Sequence, residues 1–309
     1  VNSTSPHAAG VDTDGMTDPQ RAGQPDGRTC GEPDGKEALA GLFDRNAPSY
    51  ERVGVDHFAQ LGQRLVAHAR LRPGQRVLDV GCGTGAVLVP AARAVGVHGE
   101  VTGLDLSAGM VARAREEIAR LGLVQARAVQ GDAETVSPRD LPVAAGSLDA
   151  VLAGICLFFF PRPHVATARY RELLRPGGRL AVSWWGEGDP HWTPVFVASA
   201  PYGRAASWHT VGDASPFRSV PAFHALLAEV GFTEVETVEE ECVTRFADAE
   251  QWWRWLWSTA GRQFWEGVPE DSRPAAEAAV NAELARLTAP DGSLTSRSTV
   301  RFTLARRPR

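Results

Sequence analysis

The stretch Val77-Leu-Asp-Val-Gly-Cys-Gly-Thr-Gly85 constrains this chain more than any other. β-Favouring residues run through Asp79 to Val80, meet glycines at alternate positions, and give way to an apolar segment from Ala86 to Val95. The pattern reads as a strand feeding a glycine loop feeding a helix. Glycine takes positive φ and carries no Cβ, so Gly81, Gly83 and Gly85 let the backbone turn tightly and lie against a ligand. The helix that follows offers unpaired N–H groups at its start. The glycines alone do not name the ligand, because Gly81-x-Gly83-x-x-Ala86 also passes as a dinucleotide fingerprint.

The surroundings narrow the choice. Asp79 stands just before the first glycine, where a carboxylate can hold a cationic or hydroxylated group. A second predicted strand, Glu100-Val-Thr-Gly-Leu-Asp105, ends in an acid about twenty residues beyond the glycines, where such folds place a ribose-diol acceptor. A further acidic turn follows at Gly131-Asp132-Ala133-Glu134. Strands are predicted near 76–80, 100–104, 127–130, 148–153 and 179–184, with helices near 84–95, 107–121 and 164–174. That alternation implies a parallel sheet with right-handed crossovers, and ligands bind at the carboxyl ends of its strands. Pro176-Gly177-Gly178 reads as a sharp helix stop before the fifth strand.

In this order and spacing, Val77–Gly85, Asp105, Gly131-Asp132-Ala133 and Leu173–Leu180 resemble the class I S-adenosylmethionine-dependent methyltransferases. Within that class they resemble the ubiquinone/menaquinone-biosynthesis type and its natural-product relatives. The likeness spans about Phe43 to Ser183. It implies an α/β, Rossmann-like fold: a seven-stranded, mostly parallel sheet with an antiparallel edge, here with helical cap insertions. It also implies S-adenosyl-L-methionine as cofactor, with a role for each matching residue. Asp79 would approach the methionine amino group, and the Gly81, Cys82, Gly83 and Gly85 loop would face the methionine and ribose. Asp105 would take the ribose hydroxyls, with Leu106 and Met110 on the adenine. Asp132 would take the adenine amino group and the Ala133 amide a ring nitrogen, while Gly154 and Ile155 would lie near the sulfonium. Asp79 also reads as a loop-capping carboxylate, and Asp105 as a cap before Ser107. The string from Phe43 to Tyr50 covers the cofactor and borders the substrate in these enzymes, or simply anchors the segment to the core.

The family has no universal base motif. By position, His191 and His209 are the candidate catalytic bases, and Trp184 and Trp185, at a strand's carboxyl end, the candidate substrate contacts with Phe43 and Tyr50. The reading is a methyltransferase acting on a small apolar or aromatic, specialised metabolite, with oxygen favoured as the methylated atom. Two alternatives stay open: a cyclase that keeps the cofactor as scaffold, and a nicotinamide-dependent oxidoreductase.

The 309 residues suffice for one large α/β domain with insertions. Residues 1–35, rich in Gly, Pro, Asp and Ser, cannot bury enough surface to offset chain entropy and are expected to be a disordered tail. The expected order is then a helical lid over 36–71, a cofactor core over 72–185, an inserted loop over 186–219, and the end of the sheet over 220–309 with a helical insertion at 248–289. A net charge of −5 argues against nucleic acid as a partner. No apolar run reaches membrane-spanning length. Cys30, Cys82, Cys156 and Cys242 are widely spaced, suggesting neither zinc nor a disulfide framework. A cytoplasmic monomer or homodimer taking a small-molecule acceptor is expected. The single lysine, Lys36, with abundant Ala, Gly and Pro, points to a GC-rich genome such as an actinobacterium's.

Overall fold

The computed structural model describes residues 33–137, 141, 143–203 and 215–309. The expected tail falls almost wholly outside the described residues, and Trp208 and His209 fall outside them too. The described residues place seven strands in one sheet: β1 (Arg76–Val80), β2 (Glu100–Asp105), β3 (Ala126–Gln130), β4 (Leu148–Gly154), β5 (Leu174–Trp185), β6 (Thr233–Phe246) and β7 (Leu294–Arg306). Their order is β3-β2-β1-β4-β5-β7-β6. The first five pair in parallel, and β7 lies antiparallel between β5 and β6. This is the Rossmann-like sheet with an antiparallel edge that the sequence predicts. The chain steps outward from β1 to β3, then returns to β4 on the other flank of β1. That reversal opens a crevice beyond the carboxyl ends of β1 and β4.

Alternation along the strands sends neighbouring side chains to opposite faces. Val77 and Val101 join a buried layer with Leu61 and Leu65 of α2 (Phe58–Ala69), Leu88 of α3 (Leu88–Val95) and Val111 of α4 (Ala108–Leu121). Leu78 and Val151 join the opposite layer with Tyr170 of α5 (Pro163–Leu173) and Phe223 of α7 (Val220–Val230). Each fully buried leucine is worth about 1.5–3 kcal/mol of transfer free energy. A separate apolar cluster forms a cap around Trp192, Trp252, Trp265 and Val280. Its helices are α6 (Thr193–Ser199), α8 (Ala249–Ser258), α9 (Arg262–Glu266) and α10 (Arg273–Leu287). The lid helix α1 (Pro33–Asn46) lies between cap and core.

Two boundaries differ from the predicted ones. The third helix starts at Leu88 rather than near 84, because Gly81, Gly83 and Gly85 hold φ of 64°, 52° and 108°, which a right-handed helix does not admit. And β5 takes over directly from α5: Pro176-Gly177-Gly178 lies within the strand, where the pairing with β4 shifts register between Leu148 and Ala150.

Close approach matters most at Gly62 in α2. A Cβ there would fall on the backbone carbonyl of Ala86, so the absent side chain is what lets the helix press on the glycine loop. Gly62→Ala is expected to cost about 1–3 kcal/mol of stability through overpacking. A urea midpoint equal to the parent's would show that α2 can withdraw from the loop without penalty.

Candidate active site

A cavity of about 420 Å³ extends from the β1/β4 crevice, under α1, into the cap. Its crevice end is lined by Gly81, Cys82, Gly83, Asp105, Leu106, Met110, Asp132, Ala133, Gly154 and Ile155. Asp79 and Gly85 stand behind that lining rather than in it.

The loop after β1 is shaped by two contacts. Gly81 lies so near the end of β4 that a Cβ would sit 2.7 Å from that of Cys156. Gly83 has nothing within 4 Å of where its Cβ would be, so its exposed backbone faces open space. Its amide donates to Asp105 Oδ2 at 2.8 Å, and the Ser107 amide donates to Oδ1 at 2.9 Å. Each carboxylate oxygen keeps a second lone pair for a ligand. Burial raises the Asp105 carboxyl above its ordinary range, and these amides pull it back.

Asp79 is fully buried, and neither carboxylate oxygen has a hydrogen-bond partner. Burial, then the negative Asp105, drive its carboxyl well above the ordinary range, with only a weak opposing pull from the Leu88 amide. An unpaired buried carboxylate costs several kcal/mol. Its natural complement is a cation arriving from the crevice. A nucleoside carrying a positive group fits these residues: lone pairs at Asp105 for a diol, an apolar shelf at Leu106 and Met110, and at Asp79 a buried carboxyl that an approaching cation would ionise. Ile155 holds φ of 50°, unusual for a β-branched residue and worth on the order of 1–3 kcal/mol of strain. Its amide is fixed by the Ser183 carbonyl at 3.0 Å.

Asp132 has a partner that the sequence did not announce. Lys36 of α1 donates to its Oδ2 at 2.7 Å and also reaches Glu134. Burial alone would raise the Asp132 carboxyl, but Lys36 and the Glu134 amide outweigh it and hold the group below its ordinary value. Asp44 fastens the same helix from its other end, accepting from Ser107 Oγ and from the Gly109 amide at 2.8 Å. Toward the cap, Asn46 donates to the Thr259 carbonyl at 2.9 Å and Arg45 pairs with Glu266. Phe43 and Tyr50 both line the cavity; Phe43 stands edge-on to Phe159 and Tyr50 stacks on Phe58 at 5.1 Å.

The cap end is walled by Trp185, Trp192, Phe246, Trp252 and Trp255, with Thr244, Ser296 and Ser298 as neutral polar points. Here two expectations are corrected. Trp184 does not reach the cavity: it is fully buried on the α7 side, donates to Thr303 Oγ1 at 2.9 Å, and packs on Phe223. Strand alternation sends only Trp185 to the cavity side. Nor does His191 face it. Asp189 caps the short turn Pro190–Trp192 and turns Trp192 inward, leaving the His191 side chain 83% exposed.

Among the described residues, the histidine in the cavity is His57, which sequence reasoning missed. It stands just before the first residue of α2, stacks on Trp185 at 5.6 Å and meets Trp255 and Phe58 edge-on. Its Nδ1 lies 2.8 Å from Thr244 Oγ1, a residue 187 positions away. Burial lowers its pKa from 6.5 to about 4. Its one local signal was its place just before the apolar run of α2.

A doubly wound sheet with a nucleoside crevice at its switch point, opening into an aromatic chamber, defines an enzyme that brings a nucleoside cofactor to a small acceptor. Comparison with known proteins specifies which. Residues 77–178 match the family model described as a methyltransferase domain. Nocamycin O-methyltransferase of Saccharothrix syringae is 37% identical over 257 residues, covering 79% of this chain and 89% of that protein. Aklanonic acid methyltransferase DauC of Streptomyces sp. strain C5 is 40% identical over 163 residues, 53% of this chain and 68% of that one. Among solved structures, the [4+2]-cyclase SpnF superposes with a TM-score of 0.55 at 20% identity, over 88% of this chain and 97% of that one. The chain belongs to the class I S-adenosylmethionine-dependent methyltransferases, and S-adenosylmethionine is its cofactor. The nicotinamide alternative falls with that assignment.

Two outcomes test this geometry. Asp105→Ala should weaken S-adenosylhomocysteine binding by at least roughly tenfold, about 1.4 kcal/mol, in calorimetry; parent-like affinity would remove Asp105 from the site. For His57 the folded pKa lies below the unfolded one. Between pH 6.5 and about 4 the unfolded chain therefore binds a proton that the folded chain refuses, and stability falls as the pH falls. The interval is worth about 3 kcal/mol at about 1.36 kcal/mol per pH unit. His57→Gln should flatten that limb of the stability curve, and an unaltered limb would assign it to other groups.

Proposed function

We propose that this methyltransferase methylates an oxygen of a small, planar, largely apolar metabolite. The observation that carries the reading is the cap end of the cavity, where aromatic rings surround a few neutral hydroxyls. Among the described residues, Lys36 is the one lysine or arginine in the lining, and it is engaged by Asp132 and Glu134. A chamber without a free cation suits an uncharged ring system better than a phosphorylated acceptor. The names of the relatives, for nocamycin and aklanonic acid, support a specialised metabolite.

S-adenosylmethionine supplies a methyl group already activated by a positive sulfur. The work left to the protein is to hold the acceptor in line and to keep water out. On this reading Asp79 receives the cofactor's amino group and Asp105 its ribose hydroxyls. Leu106 and Met110 take the adenine face, and the Ala133 turn, held by Tyr170 through the Ala133 carbonyl at 2.8 Å, borders its edge. Asp132 serves the adenine end as a Lys36-bound carboxylate. Trp185 and Trp255 clamp the acceptor, and Phe43 and Tyr50 close the chamber from the lid.

Trp185→Ala should raise the KM for a phenolic acceptor by roughly tenfold or more while S-adenosylhomocysteine affinity stays within about twofold. The reverse pattern would place Trp185 with the cofactor. Product analysis should show one S-adenosylhomocysteine per acceptor consumed; turnover without it would favour a cyclase instead.

A further inference from the structure

We propose that His57 takes the proton of the acceptor's hydroxyl, with Thr244 as the residue that orients it; this rests on the oxygen-methylation reading above. His57 is the cavity residue whose ring is fixed but whose chemistry is unspent. Trp185, Trp255 and Phe58 hold its plane, and Thr244 holds Nδ1. Among the described residues, the hydrogen bond of the ring runs through Nδ1 and not through Nε2. With the Nδ1 proton donated to Thr244 Oγ1, Nε2 presents a bare lone pair to the chamber.

The position suits the task. Trp185, on which His57 stacks, lies two residues beyond Ser183, and Ser183 fixes Ile155 at the end of β4. The imidazole therefore stands on the acceptor side of the β4 crevice. Among the described residues, the carboxylate at the cap end, Asp189, is already taken: Oδ1 accepts from the His191 amide and ring, and Oδ2 from the Arg297 amide at 2.8 Å. Burial pushes the Tyr50 phenol on the lid side well above its ordinary range, so it is no base. Asp105, Asp132 and Glu134 are held by amides and Lys36 at the crevice end. Burial among aromatic rings keeps His57 neutral, so it adds no positive charge that would repel a sulfonium.

The step balances. The acceptor's oxygen forms its bond to the methyl carbon as the carbon–sulfur bond breaks, with that electron pair left on sulfur. The O–H bond gives its proton to Nε2, so the positive charge lost at sulfur reappears on the imidazolium. A weakly basic imidazole then returns the proton to water when the product leaves. Because Nε2 asks for an O–H beside a flat apolar body, the acceptor class is a phenol or enol.

The test uses 2-naphthol and its methyl ether as probes with S-adenosylhomocysteine present, read by tryptophan quenching. Wild type should favour the naphthol by roughly tenfold, and His57→Phe should erase that preference while holding the ether within about twofold. Long-range ¹⁵N–¹H spectra of histidine-labelled protein, assigned by the signal lost in His57→Phe, should show the Nδ1–H tautomer, and Thr244→Val should shift it toward Nε2–H. Equal binding of the two probes, or an Nε2–H tautomer in wild type, overturns the proposal. Binding of neither probe by wild type overturns the apolar-acceptor reading and this one with it.

Discussion

Asp79 sits near the carboxyl end of β1 with no hydrogen-bond partner for either oxygen. A folded chain tolerates such a group only if the surrounding core is strong and the group is completed by something else. The core is strong here because layers on both faces of the sheet converge on β1. On the reading proposed above, a cation held in the crevice would complete the carboxylate. Asp105, one strand over, shares the same negative field and raises the Asp79 carboxyl further. Two acids at neighbouring strand ends thus place negative groups side by side, an arrangement that a positive cofactor would relieve.

The rest of the molecule is built to deliver a second reactant to that point. The antiparallel strands β6 and β7 run past the core and contribute Phe246 and Leu294 to the cap cluster. The edge of the sheet therefore becomes one wall of the cap end of the cavity, with Thr244, Ser296 and Ser298 on it. Gln251 of α8 fastens this extension to the lid loop, accepting from the Ala247 amide while donating to the Val53 carbonyl at 3.0 Å.

The parts of the site that were legible in the sequence are those encoded within one turn. Val77–Gly85 announces its loop because positive φ demands glycine at fixed spacing, and an acid at a strand end is visible as soon as the strand is. Trp184 and Trp185 were legible as a strand end but not as opposites, although alternation allows only one of them to face the cavity. His191 was misjudged because nearness in sequence to Trp192 says nothing about which way a capped turn throws its side chains. His57–Thr244 and Lys36–Asp132 were invisible for a deeper reason: they join residues 187 and 96 positions apart, and of the four only Asp132 belongs to a motif. Gly62 carried no warning either, since its close approach is to a carbonyl in another element.

The lid helix α1 is fastened to the core through Lys36 and Asp44 and to the cap through Arg45 and Asn46. It thus roofs the single cavity where its crevice end and its cap end meet. A displacement that frees the nucleoside end strains the fastenings at the acceptor end, and the reverse holds equally. Traffic of the two ligands is then mechanically coupled.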